Sequence, residues 1–326
     1  MKALALTVFA LGSLAACGDS EDPTIDPPAG PVSIVATAQA TPSLSTLVAA
    51  VEFASNDGDL VDLLAQPGDL TVFAPSNAAF DALAVELTGD AGATGADLLT
   101  AANKPLLRQV LIYHVLPSRV TAAAIPFGMP ITSAEGSIFK IEPGTPPVIT
   151  DGRNRTAQIT AVDVAASNGV IHLIDRVILP ADRDIVATAQ ALAAGNPGEF
   201  TVLVEAVVAA DLAGTLAGPG PFTVFAPTDA AFTALLAELN VTKAQLLADT
   251  ALLTRVLTYH VVPSRVLAAQ VPVDTAITTV ESGTFTVDGD LRITDERGRA
   301  AGIVGTDVFA TNGVIHAIDR VILPGA

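Results

Sequence analysis

The sequence predicts an α+β fold, built twice along one chain. Three observations carry that prediction. Long segments recur in the same order in both halves: "TVFAPSNAAF" (71–80) and "TVFAPTDAAF" (223–232), "YHVLPSRV" (113–120) and "YHVVPSRV" (259–266), "SNGVIHLIDRVILP" (167–180) and "TNGVIHAIDRVILP" (311–324). Within each copy, apolar residues at helical spacing come first and two-residue alternation comes last, the pattern of an α+β domain and not of βαβ units. Each copy spans domain length, 34–180 and 185–324, far beyond a solenoid repeat of roughly 20–50 residues.

The chain has 326 residues, half of them apolar, so two sizeable cores can form. With no Trp, Ala, Val and Leu must do most of the filling. The formal charge of −18 argues against nucleic acid and against an anionic membrane surface, since both require a basic patch.

Met1-Lys2 is a short positive start, and Ala3 to Leu14 is an apolar run of 12 residues, interrupted only by small or weakly polar ones. That run is too short to cross ~30 Å of hydrocarbon as a helix and fits the core of an export signal. The "LAAC" that follows at 14–17 resembles a bacterial lipoprotein signal, with residues 1–16 removed and Cys17 acylated as the new N-terminus. The alternative is an ordinary secretory signal with an incidental cysteine. Cys17 is the only cysteine, and a lone thiol in an exported chain has no disulfide partner, which favours lipidation. Residues 17–31, acidic and Pro-rich, read as an extended tether. Its acids lack the spacing and turn glycine of a calcium loop.

The first domain is expected over 32–180 and the second over 185–324. The join at 181–184 is so short that the two should touch. In the first copy, Leu44, Leu47, Val48 and Val51 predict a helix over 43–55. "DLTVFAP" (69–75) reads as a strand stopped by Pro75. Ser76, like Thr228 in the second copy, stands where a helix cap is wanted. The glycines of 89–95 read as a loop. "KPLLRQVLIYHV" (104–115) predicts a helix with Pro105 in its first turn. The pattern then changes to period two, with strands over 155–166 and 170–179 around Ser-Asn-Gly, a hairpin signal in which Asn-Gly supplies positive φ. Both faces of 170–179 are mostly apolar, so that strand is expected to be central.

Chemistry-bearing residues are few. His114 follows Leu107 by seven and Leu111 by three, and His260 stands likewise to Leu253 and Leu257, which places both on the apolar face of their helices. A metal site or general base is the functional reading of the four histidines, but zinc needs three or four ligands and no cluster offers them. Buried rings bonded internally are the expectation, with no metal, no cofactor and no catalytic residue assigned. Tyr113 and Tyr259 point partly away from the apolar stripe and are expected to reach a surface, so Tyr113, His114, Tyr259 and His260 are the candidate binding residues. Asp175 and Asp319 should be paired with an arginine or a backbone N–H. No nucleophile elbow and no phosphate-binding loop occur.

On these segments the chain resembles the fasciclin-like domain family. The resemblance rests on the "TVFAP" segments, the Tyr-His segments and the closing "NGVIHLIDRVILP" and "NGVIHAIDRVILP", in order in both copies. It implies two tandem domains, each a β-wedge of two sheets with helices packed on one side. It implies extracellular adhesion: contact with proteins, polysaccharide, matrix or other copies of the chain, with the membrane met only through the N-terminal lipid and no nucleic acid bound. The expected location is a bacterial outer membrane or cell surface. The competing expectation is a lipid-anchored enzyme or small-molecule carrier with a site between the domains, which would show His172 and Asp175 facing one cleft.

Overall fold

The computed structural model describes residues 32–196 and 198–325. The signal segment, Cys17 and the tether lie outside the described residues. In the first copy, helices span Ile34–Gln39, Ser45–Ala54, Asp59–Ala65, Asn77–Thr88 and Lys104–Tyr113. Its strands are β1 (Leu70–Pro75), β2 (Val115–Leu116), β3 (Ile131–Thr132), β4 (Ile138–Glu142), β5 (Val148–Thr150), β6 (Thr156–Ala166) and β7 (Gly169–Ile174). They pair in the order β2-β1-β7-β6-β5-β4-β3. The second copy repeats the plan with β8 (Phe222–Pro227), β9 (Val261–Val262), β10 (Ile277–Thr278), β11 (Thr284–Val287), β12 (Arg292–Thr294), β13 (Ala300–Ala310) and β14 (Gly313–Ile318), ordered β9-β8-β14-β13-β12-β11-β10.

Local chemistry sets these elements. The Ser76 and Thr228 hydroxyls accept from the backbone N–H of Ala79 and Ala231, capping the helices that follow β1 and β8. β7 is central: it runs parallel to β1 and antiparallel to β6. Along β1 the side chains alternate between two cores. Val72 and Ala74 face the helices, among Leu47, Val51, Leu60, Phe80 and Leu111. Phe73 faces the opposite side, where Phe139, Ile141, Ile149, Ile159 and Ile174 close on it. This second core is possible because β6 carries two register shifts, one between Ile159 and Ala161 and one between Ala161 and Val164, and Asp163 within the second has φ 57°. Such bulges bend a strand, so the β5-β4-β3 half folds over the β2-β1-β7 half and makes the wedge.

Two expectations change. The hairpin turn is Ser167-Asn168, since Ala166 pairs directly with Gly169, and neither turn residue takes a left-handed φ. Asn168 serves as a staple instead. Its Oδ1 accepts from Ile34 N (2.9 Å), and its Nδ2 donates to Leu64 O (2.7 Å) and Gln66 O (2.9 Å). Gly169 is needed because a Cβ there would lie 2.2 Å from Leu70 O. Asn312 and Gly313 repeat both devices.

The strand expected over 170–179 ends at Ile174. Beyond it the backbone N–H groups of Ile178 and Leu179 are taken by side chains, His114 Nε2 and Asp151 Oδ2, rather than by a neighbouring strand.

The two copies touch. Lys140 of β4 reaches Asp307 of β13 (Nζ–Oδ2 2.8 Å), and both side chains are buried. Asn154 exchanges two hydrogen bonds with the Phe309 backbone, at 3.1 and 2.6 Å. Burial alone would lower the Lys140 pKa, but the Asp307 and Glu142 carboxylates outweigh it and hold the ammonium charged.

Candidate functional site

The Tyr-His segment ends the Lys104–Tyr113 helix and leads into β2, with His114 as the C-cap residue. Tyr113 is fully buried, which corrects the expectation that it reaches a surface. Helical periodicity places it off the helix-facing core, but the space it enters is the interior of the wedge. There its ring meets Phe139 edge-on at 5.7 Å. Its hydroxyl donates to Ile138 O (2.7 Å) and accepts from Gly152 N (3.0 Å), so burial leaves no polar group unmet. Tyr259 is buried in the same way, donating to Thr284 O (2.6 Å) and accepting from Glu296 N (3.2 Å). Burial raises both phenols, Tyr113 well above the ordinary value and Tyr259 to about 12.

All four imidazoles are buried and bonded to the backbone on both nitrogens. A backbone N–H can only donate and a carbonyl can only accept, so each ring's tautomer follows. His114 Nδ1–H donates to Val110 O (2.7 Å), and its Nε2 accepts from Ile178 N (3.1 Å). His260 does the same with Val256 O (2.7 Å) and Ile322 N (3.2 Å). His172 and His316 hold the opposite tautomer. Their Nδ1 accepts from the N–H of Asp163 and Asp307, and their Nε2–H donates to Val120 O and Val266 O. Burial pushes His114 and His260 down to about 4 and lowers His316. The rings therefore brace the backbone; none has a free nitrogen to offer a substrate.

The carboxylates are also engaged. Asp175 is exposed and accepts from Gln158 N (2.7 Å); Asp319 accepts from Gly302 N (2.7 Å). His172 and Asp175 do not share a cleft: one is sealed in the wedge and the other faces solvent. Among the described residues no group of three or more His, Cys, Asp and Glu side chains is placed to hold a metal, and no helix is long and apolar enough to cross a membrane.

Other features were not anticipated. Asp151 is a buried acid that accepts from the N–H of Arg153, Arg155 and Leu179 and from the Arg155 guanidinium, and Asp295 repeats its backbone bonds. A cavity of about 260 Å³ lies at the domain joint, lined by Glu86, Arg153, Asn154, Arg155, Asp182 and Arg183 among others. Lys140 and Asn154, which make the joint, are Thr286 and Gly298 at the corresponding places of the second copy. A position-by-position comparison of the two copies is the signal that could have singled them out.

A family model for the Fasciclin domain matches residues 42–180 and again 198–324. Transforming growth factor-beta-induced protein ig-h3 from Sus scrofa is 32% identical over 259 residues, 79% of this chain and 35% of that protein. Protein sll1483 from Synechocystis is 45% identical over 150 residues, 45% of this chain and 79% of that protein. The cell surface glycolipoprotein MPB83 from Mycobacterium bovis is 38% identical over 119 residues, 36% of this chain and 49% of that protein. The chain thus spans about a third of the length of ig-h3.

Proposed function

The chain belongs to the Fasciclin domain family, and on that premise we propose that it is an exported, lipid-anchored adhesion protein. Two fasciclin domains, 32–180 and 185–324, follow a signal peptide (1–16) and an acidic tether (17–31). Cys17 carries the lipid and holds the chain at a bacterial outer membrane or cell surface. The domains contact extracellular protein, polysaccharide or further copies of the chain. Binding by both at once adds avidity without new contacts.

The observation that carries this reading is the internal use of the repeated chemistry. All four imidazoles and both tyrosine hydroxyls are bonded to the chain's own backbone. A domain whose titratable groups are spent on its frame is suited to present a surface, not to turn over a substrate. Tyr113, His114, Tyr259 and His260 then act on binding indirectly, by fixing the helix end against the wedge. A relative bearing the name cell surface glycolipoprotein supports the anchored location.

The test expresses the wild type and Cys17→Ser side by side in a bacterium, and measures membrane partition and cell clumping. The wild type should partition with membrane and clump cells, and the variant should be released with clumping lost. Unchanged membrane association of the variant defeats the anchor. Clumping equal to that of cells without the protein defeats the adhesive role.

A further inference from the structure

Arg119 and Arg265 are the same position of the two copies, the arginine of "PSRV". Their surroundings differ. In the first copy Arg119 donates through Nη2 to Ala166 O (3.2 Å) and Gly169 O (2.6 Å), and its Nε lies 3.4 Å from Asp69 Oδ1. In the second copy "GDLTVFAP" (68–75) has become "GPFTVFAP" (220–227), so Pro221 stands where Asp69 was. Arg265 keeps one hydrogen bond, from Nη2 to Thr311 O at 3.3 Å. It makes no ion pair among the described residues, and its Nε–H is shielded from solvent without an acceptor. Burial lowers its pKa and no neighbouring carboxylate offsets this. A half-buried guanidinium without a counter-charge is a group that calls for explanation.

The guanidinium lines an open cleft of about 470 Å³ between residues 217–221 and the hairpin turn Thr311-Asn312. The rest of the lining carries no charge: bare backbone at Gly218 and Gly220, the rings of Pro219 and Pro221, and the Thr311 and Asn312 side chains. We propose that this cleft is a carboxylate-binding site of the second domain alone, and that its ligand is a uronic-acid sugar whose carboxylate meets the Arg265 Nη groups from the cleft side and supplies the counter-charge that Asp69 gives Arg119 in the first domain. The planar donor fork matches a carboxylate. The Thr311 hydroxyl and the proline faces suit a ring hydroxyl and an apolar sugar face, while the Asn312 amide is held by Ile185 N, Leu216 O and Gly218 O and frames the cleft. The chain's charge of −18 opposes a run of negative charges such as an acidic peptide, whereas an isolated uronate sets one carboxylate among neutral hydroxyls. The inference adds a ligand class to the adhesion reading and rests on it only for the extracellular setting. A titration on purified protein separates the two, since its failure leaves clumping untouched and the reverse also holds.

The experiment records the arginine Nε–H signals of the purified chain by two-dimensional ¹H–¹⁵N NMR, with Arg265 assigned by its loss in Arg265→Gln. Sodium glucuronate, acetate, N-acetylglutamate amide and chloride are titrated at matched ionic strength. Glucuronate should move the Arg265 signal and bind about three- to tenfold more tightly than acetate, the effect of one or two added hydrogen bonds. Arg265→Gln should weaken glucuronate about tenfold or more, judged by the remaining backbone signals, through loss of a charge-assisted pair. Pro221→Asp restores an internal carboxylate and should suppress binding. Asp69→Ala, at an exposed side chain, is a milder second variant: it frees Arg119 and should add a response there. An Arg265 signal that stays still, moves equally with chloride, or belongs to a glucuronate response undiminished in Arg265→Gln overturns the site. Tighter binding of the glutamate derivative than of glucuronate overturns the sugar.

Discussion

Replacing Asn168 with alanine removes three hydrogen bonds at once, to Ile34 N, Leu64 O and Gln66 O. These tie the start of one helix and the end of another to the β6–β7 turn. Asn168 is buried, and leaving such partners unmet costs about 1 kcal/mol or more apiece, so the loss should be about 3–4 kcal/mol. That is a large share of the ~5–15 kcal/mol typical of a domain. In urea, with a slope of ~1–3 kcal/mol per M, the midpoint of the first domain should fall by about 1–4 M. Hydrogen exchange followed by mass spectrometry should show faster exchange in peptides covering 34–66 before those of the second domain. Asn168→Gly separates this account from the usual one for Asn-Gly turns. A residue valued for positive φ tolerates glycine, whereas the staple predicts that glycine costs as much as alanine or more. Asn168→Ala within 1 kcal/mol of wild type, or a harmless Asn168→Gly, would refute the reasoning.

Two further perturbations follow from the buried groups. His114 and His260 titrate near 4 in the fold against an ordinary 6.5, so the unfolded chain takes up protons first as pH falls. Stability is therefore fully present above about pH 6.5 and is lost on the way down to about 4, by about 3 kcal/mol per histidine at ~1.4 kcal/mol per unit. Urea midpoints at pH 7, 5.5 and 4.5 check this, and a flat profile over that window contradicts it. At the joint, Lys140→Met strands the buried Asp307 carboxylate and should cost about 3–5 kcal/mol, while adding Asp307→Asn, which removes the charge, keeps an acceptor for Ala268 N and tolerates the local φ of 58°, should recover much of it. Scanning calorimetry reads both, and a Lys140→Met protein as stable as wild type would mean that the two domains are not joined there.

Much of this fold was legible in the sequence because the signals are local. Ser76 and Thr228 cap helices, apolar spacing marks Leu47 and Val51 as core, and a strand apolar on both faces is central. The short strands β2 to β5 escaped, being two to five residues long and set among turn residues, with too few positions for a period to show. His114 and His260 lie inward, as the face of their own helix indicates. The tyrosines were not, because helical phase says what lies on one side and nothing of the wedge that closes over the other. Asn168 looked like turn chemistry because its three partners lie about a hundred or more residues away in the chain. The bare Arg265 could have been seen, since Asp69 and Pro221 stand at the same point of two otherwise matching segments.

Long-range ¹H–¹⁵N spectra of the histidine rings at pH 7 bear most directly on whether the repeated imidazoles serve the scaffold. The account predicts one ring proton on each: at Nδ1 in His114 and His260, at Nε2 in His172 and His316, with the first pair unprotonated until about pH 4. Rings of the first pair that average between tautomers, or that titrate near 6.5, would show nitrogens open to solvent and contradict it.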